Sequence, residues 1–123
     1  MVLDAGALIA VDRSDPMVLA ILARAKERGR TFVTSSPVVG QAWRGGARQA
    51  LLARLLSGVD VVSPSQADAR SAGMLLATTG TADIVDALLA KICRDGDVLL
   101  TSDDDDLRIL TKAARLNVQI VHV

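Results

Sequence analysis

Short apolar runs alternate with longer amphipathic segments along this chain of 123 residues. The short runs are bounded by turn residues and predict five β-strands, at residues 2–3, 31–34, 59–62, 98–100 and 118–121. Strands that alternate with helices usually lie parallel in one sheet. The pattern therefore predicts an α/β domain whose mainly parallel sheet is covered by helices on both faces.

Capping residues mark where the predicted helices begin. Asp15 and Ser36 are each followed by a proline, which is the usual signal of an N-cap and the first helical turn. The helix from Ser36 is expected to reach the pair Gly45-Gly46. Further helices are predicted at residues 47–57, at residues 65–78, from a cap at Thr81, and from Asp103. The length suits one domain, residues 1–123, without repeats or linkers.

Composition excludes several classes of function. Fourteen basic and fourteen acidic residues cancel, so the chain has no general attraction for nucleic acid. One Phe, one Trp and no Tyr exclude a base-stacking platform. The single Cys93 cannot form an internal disulfide, and its apolar helical surroundings predict burial. No signal peptide or membrane span is recognisable, so a cytoplasmic protein is expected.

The acidic residues are unusual because thirteen of the fourteen are Asp. Asp is a poor residue in helix interiors but a good one in caps, turns and sites for hard metal ions. Asp4 directly follows the first predicted strand, and Asp103 follows the fourth. Ligands bind beyond the carboxyl ends of parallel strands, so both carboxylates are expected at the edge where a ligand would bind.

Helical geometry brings a third carboxylate towards the same edge. At 100° per residue, Asp86 lies at the border of the apolar stripe of its helix, whereas Asp83 lies nearly opposite and is expected to point outward or cap. Within the run of four acids at 103–106, Asp103 and Asp106 are the pair best able to share a pocket. Asp104 and Asp105 are expected to be solvated.

Two interpretations of these acids remain open from the residues alone. Converging carboxylates repel one another, and Mg²⁺ or Mn²⁺ would compensate their charge. Alternatively, Asp4 ends a strand in a turn, Asp83 and Asp86 favour the helix dipole, and Asp103 is an N-cap.

Three motifs together resemble those of PIN domains, and more narrowly the VapC-type toxins of bacterial toxin–antitoxin pairs. They are the opening Val-Leu-Asp-Ala-Gly-Ala-Leu-Ile-Ala, the helix Asp-Ile-Val-Asp-Ala-Leu-Leu-Ala from residue 83, and Leu-Leu-Thr-Ser-Asp ending at residue 103. The resemblance covers the whole chain. It implies a three-layer α/β/α sandwich with about five strands, and a Mg²⁺- or Mn²⁺-dependent endoribonuclease that hydrolyses RNA phosphodiester bonds.

The resemblance also assigns roles to individual residues. Metal-binding acids of the family correspond to Asp4, Asp86 and Asp103, and a further acid corresponds to Asp106 or, less well, to Asp105. The family's Glu on the helix after the second strand is replaced by Gln41, whose amide brings no negative charge and implies weaker metal binding. Gln41 and Asp83 are therefore expected around the metal site rather than as its main ligands. Family members bind an antitoxin protein and often form homodimers.

Cations near the expected site have two interpretations. Arg44 and Arg48 flank the Gly45-Gly46 break, so they either contact RNA phosphates or are ordinary solvated charges. Trp43 is either at the edge of the core or a partner contact. His122, the only histidine, is expected to be exposed or at a sheet edge.

Two other functions compete with the nuclease. A PIN-like protein with an impaired metal site would act as a binding or regulatory module, and Gln41 is the residue that favours this alternative. A phosphorylation-dependent receiver domain also gathers Asp at strand ends. It fits poorly, because no acidic pair closes the first strand and Ser63-Pro64 follows the third.

Overall fold

The computed structural model describes residues 1–123 and contains one parallel sheet. Its strands are β1 (Val2–Leu3), β2 (Phe32–Ser35), β3 (Val59–Val62), β4 (Val98–Thr101) and β5 (Gln119–His122). They are ordered β3-β2-β1-β4-β5, and every neighbouring pair is parallel. The predicted parallel sheet is thus confirmed, and each predicted strand lies within one residue of the observed bounds.

Seven α-helices and one 3₁₀ turn connect the strands. They are α1 (Ala5–Asp12), α2 (Pro16–Glu27), α3 (Ser36–Ala42), a 3₁₀ turn (Ala47–Gln49), α4 (Ala50–Leu56), α5 (Gln66–Thr79), α6 (Ile84–Ile92) and α7 (Asp104–Ala113). Helix α1 packs against α2, α3 and α4, whereas α5, α6 and α7 pack against one another. With the sheet, these two groups give the three-layer α/β/α fold.

Three predicted helix boundaries were wrong. Ser35, not Ser36, is the N-cap of α3, and its hydroxyl accepts from the amide of Val38 at 3.5 Å. Asp83, not Thr81, caps α6; the Thr81 hydroxyl pairs with that of Thr79 at 2.8 Å instead. Helix α3 ends at Ala42, so Trp43 and Arg44 lie in the connection that follows it.

Helix α1 is the one helix that the hydrophobic pattern does not predict. Its sequence is apolar at every position except the terminal Asp12, so no polar face reveals a helical period. Ala7, Leu8 and Val11 are buried in the core beside the central strands β1 and β4. The helix starts immediately after β1, with Asp4 as its N-cap.

The strand order places a topological switch point between β1 and β4. From β1 the chain adds β2 and β3 on one side, and it then crosses to β4 on the other side of β1. Such a reversal leaves a crevice beyond the carboxyl ends of the two strands, which is where open α/β sheets bind ligands. Asp4 follows β1 and Ser102-Asp103 follow β4, so both acids lie at this crevice.

No single helix is long and apolar enough to span a membrane. Helices α5 and α6 meet that test only when they are counted together across a bend of 109°.

Candidate metal centre

Three carboxylates meet beside the switch point. Asp86, Asp103 and Asp106 each offer an oxygen that lies within 4.8 Å of the oxygens of the other two. Asp86 is in the first turn of α6 and is buried, Asp106 is in the first turn of α7 and is half-buried, and Asp103 is exposed at the N-cap of α7. We call these three residues the acidic cluster.

Local capping explains which acids are free to join the cluster. The Asp83 carboxylate caps α6 by accepting from the amides of Val85 and Asp86, at 2.8 and 3.2 Å. Asp103 occupies the N-cap position of α7, but its side chain makes no capping hydrogen bond. The capping interpretation therefore holds for Asp83 and does not account for Asp103.

Asp4 lies next to the acidic cluster but is held differently. Its Oδ1 accepts from the amide of Ala5 at 2.7 Å, and its Oδ2 accepts from the hydroxyl of Thr101 at 2.6 Å. Asp4 is 6% exposed, and it is not one of the three residues whose oxygens lie within 4.8 Å. It therefore borders the cluster as a buried, hydrogen-bonded carboxylate.

Thr101 joins the two strand ends that carry the acids. Its hydroxyl donates to Asp4 and accepts from the backbone amide of Asp103 at 2.9 Å. Thr101 is completely buried at the end of β4. Its role is not predicted from the sequence, where the one signal is a polar residue that closes an otherwise apolar strand.

Burial and like charge raise the pKa of two members of the cluster, Asp86 and Asp103. The pKa of Asp86 is raised to about 7, first by desolvation and then by the charges of Asp83, Asp4, Asp103 and Asp106. The pKa of Asp103 is also raised, again by desolvation and then by neighbouring acids, with Asp106 first among them. These shifts place Asp4 and the cluster in one electrostatic unit.

The donor set fits a hard divalent cation. Carboxylate oxygens are the ligands that Mg²⁺ and Mn²⁺ prefer in proteins. Two ionised carboxylates 4.8 Å apart repel by about 3 kcal/mol at an effective dielectric constant near 20. A divalent cation would remove this repulsion, which a protonated Asp86 relieves only in part.

Gln41 is exposed on α3 and makes no side-chain hydrogen bond. Helix α3 packs against both α1 and α6, the helices that follow Asp4 and carry Asp86. The amide is thus accessible to solvent on a helix that packs beside the elements carrying Asp4 and Asp86.

Replacing Gln41 with Glu is expected to tighten Mn²⁺ binding by roughly tenfold, because it adds a negative charge on a helix that borders the crevice. Isothermal titration calorimetry measures the change. Gln119→Glu is the matched control, since Gln119 begins β5 at the opposite edge of the sheet. Equal affinities in the two variants would place residue 41 outside the metal site.

The two candidate phosphate contacts lie in an ordered connection. Arg44 and Arg48 are exposed, and the Arg44 guanidinium donates to the carbonyls of Gly40 and Trp43 at 3.1 and 2.7 Å. Arg48 lies in the 3₁₀ turn. Arg44 therefore covers the carboxyl end of α3 in this structure, while Arg48 remains solvated.

A buried amide that the sequence analysis missed holds this connection in place. Gln49 Oε1 accepts from the backbone amides of Arg44 and Gly45, at 2.7 and 2.9 Å. Its Nε2 donates to the carbonyl of Ala42 at 3.0 Å and to Asp12 Oδ2 at 3.2 Å. All four hydrogen-bonding positions of the side chain are used, so Gln49 fixes the chain path that carries Arg44.

The sequence predicts that Asp104 is solvated, but in the structure its carboxylate has two partners. Its Oδ1 lies 2.7 Å from His122 Nδ1, and its Oδ2 lies 3.7 Å from the guanidinium of Arg108. The hydrogen bond from His122 is the main cause that lowers the pKa of Asp104. His122 is exposed on β5 as predicted, and this pair lies outside the acidic cluster.

Cys93 is buried, as predicted, at the carboxyl end of α6. Desolvation raises the pKa of its thiol to about 12. A thiol that stays protonated at neutral pH is a poor nucleophile, so Cys93 belongs to the core.

A comparison with protein families agrees with this geometry. A family model described as PIN domain matches residues 1–113. No curated protein is significantly similar to the chain. The family match runs from β1 to the end of α7 and so covers four of the five strands, together with Asp4 and the whole acidic cluster. The chain therefore belongs to the PIN domain family.

Proposed function

We propose that this protein is a divalent-metal-dependent endoribonuclease. PIN domains are generally metal-dependent nucleases that act on RNA. The observation that carries the proposal is the acidic cluster, which brings three carboxylates within 4.8 Å beside the switch point of the sheet.

Asp86, Asp103 and Asp106 would hold the cation, which is Mg²⁺ or Mn²⁺ in this proposal, with Asp4 beside them. When bound, the cation would supply charge neutralisation at an RNA phosphate and lower the pKa of a water molecule. The protein's own part is to fix the ligands in place. Asp83 and Thr101 do so through the hydrogen bonds that set the first turn of α6 and the end of β4.

We further propose that the nuclease is the toxin of a type II toxin–antitoxin pair. The support is the resemblance of its three motifs, in their order and spacing, to VapC-type toxins. A short reading frame directly upstream that encodes a small antitoxin-like protein would support this assignment. A dimeric state and a cytoplasmic location belong to the same proposal.

A groove near the amino ends of β2 and β3 supports the proposal that the protein has a protein partner. Its volume is about 660 Å³, and it is lined by apolar side chains of α2 and α4, among them Leu19, Leu51 and Leu55. Phe32 and Gly58, at the amino ends of β2 and β3, form part of its lining. An amphipathic helix is the kind of segment that fits an apolar groove between two helices.

The positive charge of the groove indicates that the partner carries acidic residues. Lys26, Arg30 and Arg54 line the groove, and no acidic residue does. A partner helix with an apolar face and acidic flanks would match both properties.

Arg54→Glu is expected to weaken binding of the upstream frame's product at least roughly tenfold, because the substitution reverses a charge at the groove. Purified components and calorimetry give the affinity. The control is Arg70→Glu, an exposed arginine on α5 in the other helix layer. If both variants bind as the unsubstituted protein does, the groove is not the partner site.

Cleavage of RNA tests the enzymatic proposal. Structured and single-stranded RNAs are incubated with Mg²⁺ or Mn²⁺ and with the unsubstituted protein, Asp4→Ala or Asp103→Ala. Metal-dependent cleavage that is lost in both variants is expected. The alternative is a binding module without nuclease activity. It would be supported if the protein bound no metal and cut no RNA but still bound a partner in the groove between α2 and α4.

A further inference from the structure

Gly6 is the most crowded of the nine glycines, and it lies two residues after Asp4, beside the acidic cluster. A Cβ atom placed on Gly6 would lie 2.7 Å from the Cβ and 2.8 Å from the backbone nitrogen of Ser102, and nearer still to its Oγ. At none of the other eight glycines would a Cβ lie closer than 3.7 Å to a neighbouring atom. Gly6 is in the first turn of α1, two residues after Asp4, and Ser102 directly precedes Asp103.

The contact cannot be relieved by rotating a side chain. The Ser102 hydroxyl can turn away, but its Cβ and backbone nitrogen move only with the backbone of the β4 end. That backbone is tied down on both sides. The Thr101 hydroxyl joins Asp4 to the Asp103 amide, and the carbonyl of Thr101 accepts from the amide of Val123 at 2.8 Å.

Helix propensity alone favours a different residue at this position. Glycine in a helix is less favourable than alanine because it loses more backbone freedom on folding. The backbone of Gly6 does not have a positive φ, so no special conformation requires glycine there. The close approach of Ser102 is therefore the reason that a side chain does not fit.

We propose that Gly6 is a positioning residue of the metal site: its missing side chain lets the β4 end approach α1 and so fixes Asp103 against Asp86 and Asp106. The role of Gly6 in metal binding rests on the proposed function. A side chain at residue 6 would push Ser102 outward and carry Asp103 with it, because the two residues are adjacent in the chain. Ligand sites tolerate displacements of only about 0.5 Å before binding weakens.

Gly6→Ala is expected to raise the Kd of the folded protein for Mn²⁺ at least roughly tenfold, and to lower Tm by about 5 °C. Gly73→Ala is the matched control, since Gly73 is helical and has open space where its Cβ would lie. It is expected to raise Tm by about 3 °C and to leave the Kd unchanged. Calorimetry and thermal unfolding give both quantities without RNA.

Ser102→Gly in the Gly6→Ala background removes two of the three crowding atoms, Oγ and Cβ, and is expected to restore much of the Mn²⁺ affinity. If the single variant fails to fold, the double variant is expected both to fold and to bind Mn²⁺, and a double variant that folded without binding Mn²⁺ would contradict the proposal. It would be overturned if Gly6→Ala bound Mn²⁺ as tightly as Gly73→Ala, or if Ser102→Gly gave no recovery.

The proposed nuclease function and the proposed role of Gly6 can be contradicted by different results. An unsubstituted protein that binds Mn²⁺ but cuts no RNA would contradict the nuclease and leave the Gly6 comparison intact. If it bound no Mn²⁺, the role of Gly6 in metal binding would be contradicted too, while the Tm values would still measure the contact with Ser102.

Discussion

Asp86→Asn is expected to abolish metal-dependent cleavage while making the metal-free protein more stable at neutral and alkaline pH. Loss of a buried ligand carboxylate should lower the cleavage rate at least about 100-fold. The stability gain follows from the pKa of Asp86, which folding raises from 3.8 to about 7. An ionised Asp86 thus works against folding, and an amide removes that opposition.

The sign of the pH dependence is fixed by the direction of this shift. Asp86 binds its proton more tightly in the folded state, so its favourable effect is complete below pH 3.8 and is lost as pH rises through about 7. Chemical unfolding in EDTA at several pH values should show Asp86→Asn gaining roughly 1–2 kcal/mol over the unsubstituted protein at pH 8, after allowance for solvent screening. The two proteins should converge at pH 4. A variant that is less stable at pH 8 would mean that Asp86 is not strained by its surroundings.

Thr101→Val is expected to have the second largest effect, because one hydroxyl serves both Asp4 and Asp103. Valine keeps the shape of the side chain and suits a strand, but it leaves a buried carboxylate oxygen and an amide without their partner. The free energy of unfolding should fall by about 2 kcal/mol. The Kd for Mn²⁺ should rise roughly 10- to 100-fold, as it does when groups that orient metal ligands are removed.

Thr101→Ser separates the hydroxyl from the methyl group. It keeps the hydrogen-bonding atom, so Mn²⁺ affinity should stay close to that of the unsubstituted protein even if stability falls. If Thr101→Ser and Thr101→Val weakened Mn²⁺ binding equally, the hydrogen bonds of Thr101 would not be what orients Asp103.

The sequence was sufficient for those parts of the fold that depend on local pattern. Short apolar runs predicted all five strands, and parallel strands carry the residues after β1 and β4 to one edge. That reasoning located Asp4 and Asp103, and the helical wheel of α6 brought Asp86 towards them. Helix α1 escaped prediction because its residues are almost uniformly apolar.

Contacts between distant parts of the chain could not be predicted from the pattern of hydrophobic and polar residues. Thr101 and Asp4 are 97 residues apart, and nothing local to Thr101 indicates its partner. Gly6 has the same property, since only the packed structure shows that Ser102 occupies the space of its side chain. The choice between Ser35 and Ser36 as the cap of α3 likewise depends on where β2 ends, which the pattern gave only to within one residue.

The most direct test of the metal site is a Mn²⁺ titration of three proteins by calorimetry: the unsubstituted chain, Asp106→Asn and Asp105→Asn. Both substitutions remove one negative charge from the same helical turn, but only Asp106 belongs to the acidic cluster, and Asp105 is exposed. Asp106→Asn is expected to lose at least about tenfold in affinity, while Asp105→Asn stays close to the unsubstituted protein. Equal losses in both variants, or no binding by the unsubstituted protein, would contradict a metal centre formed by Asp86, Asp103 and Asp106.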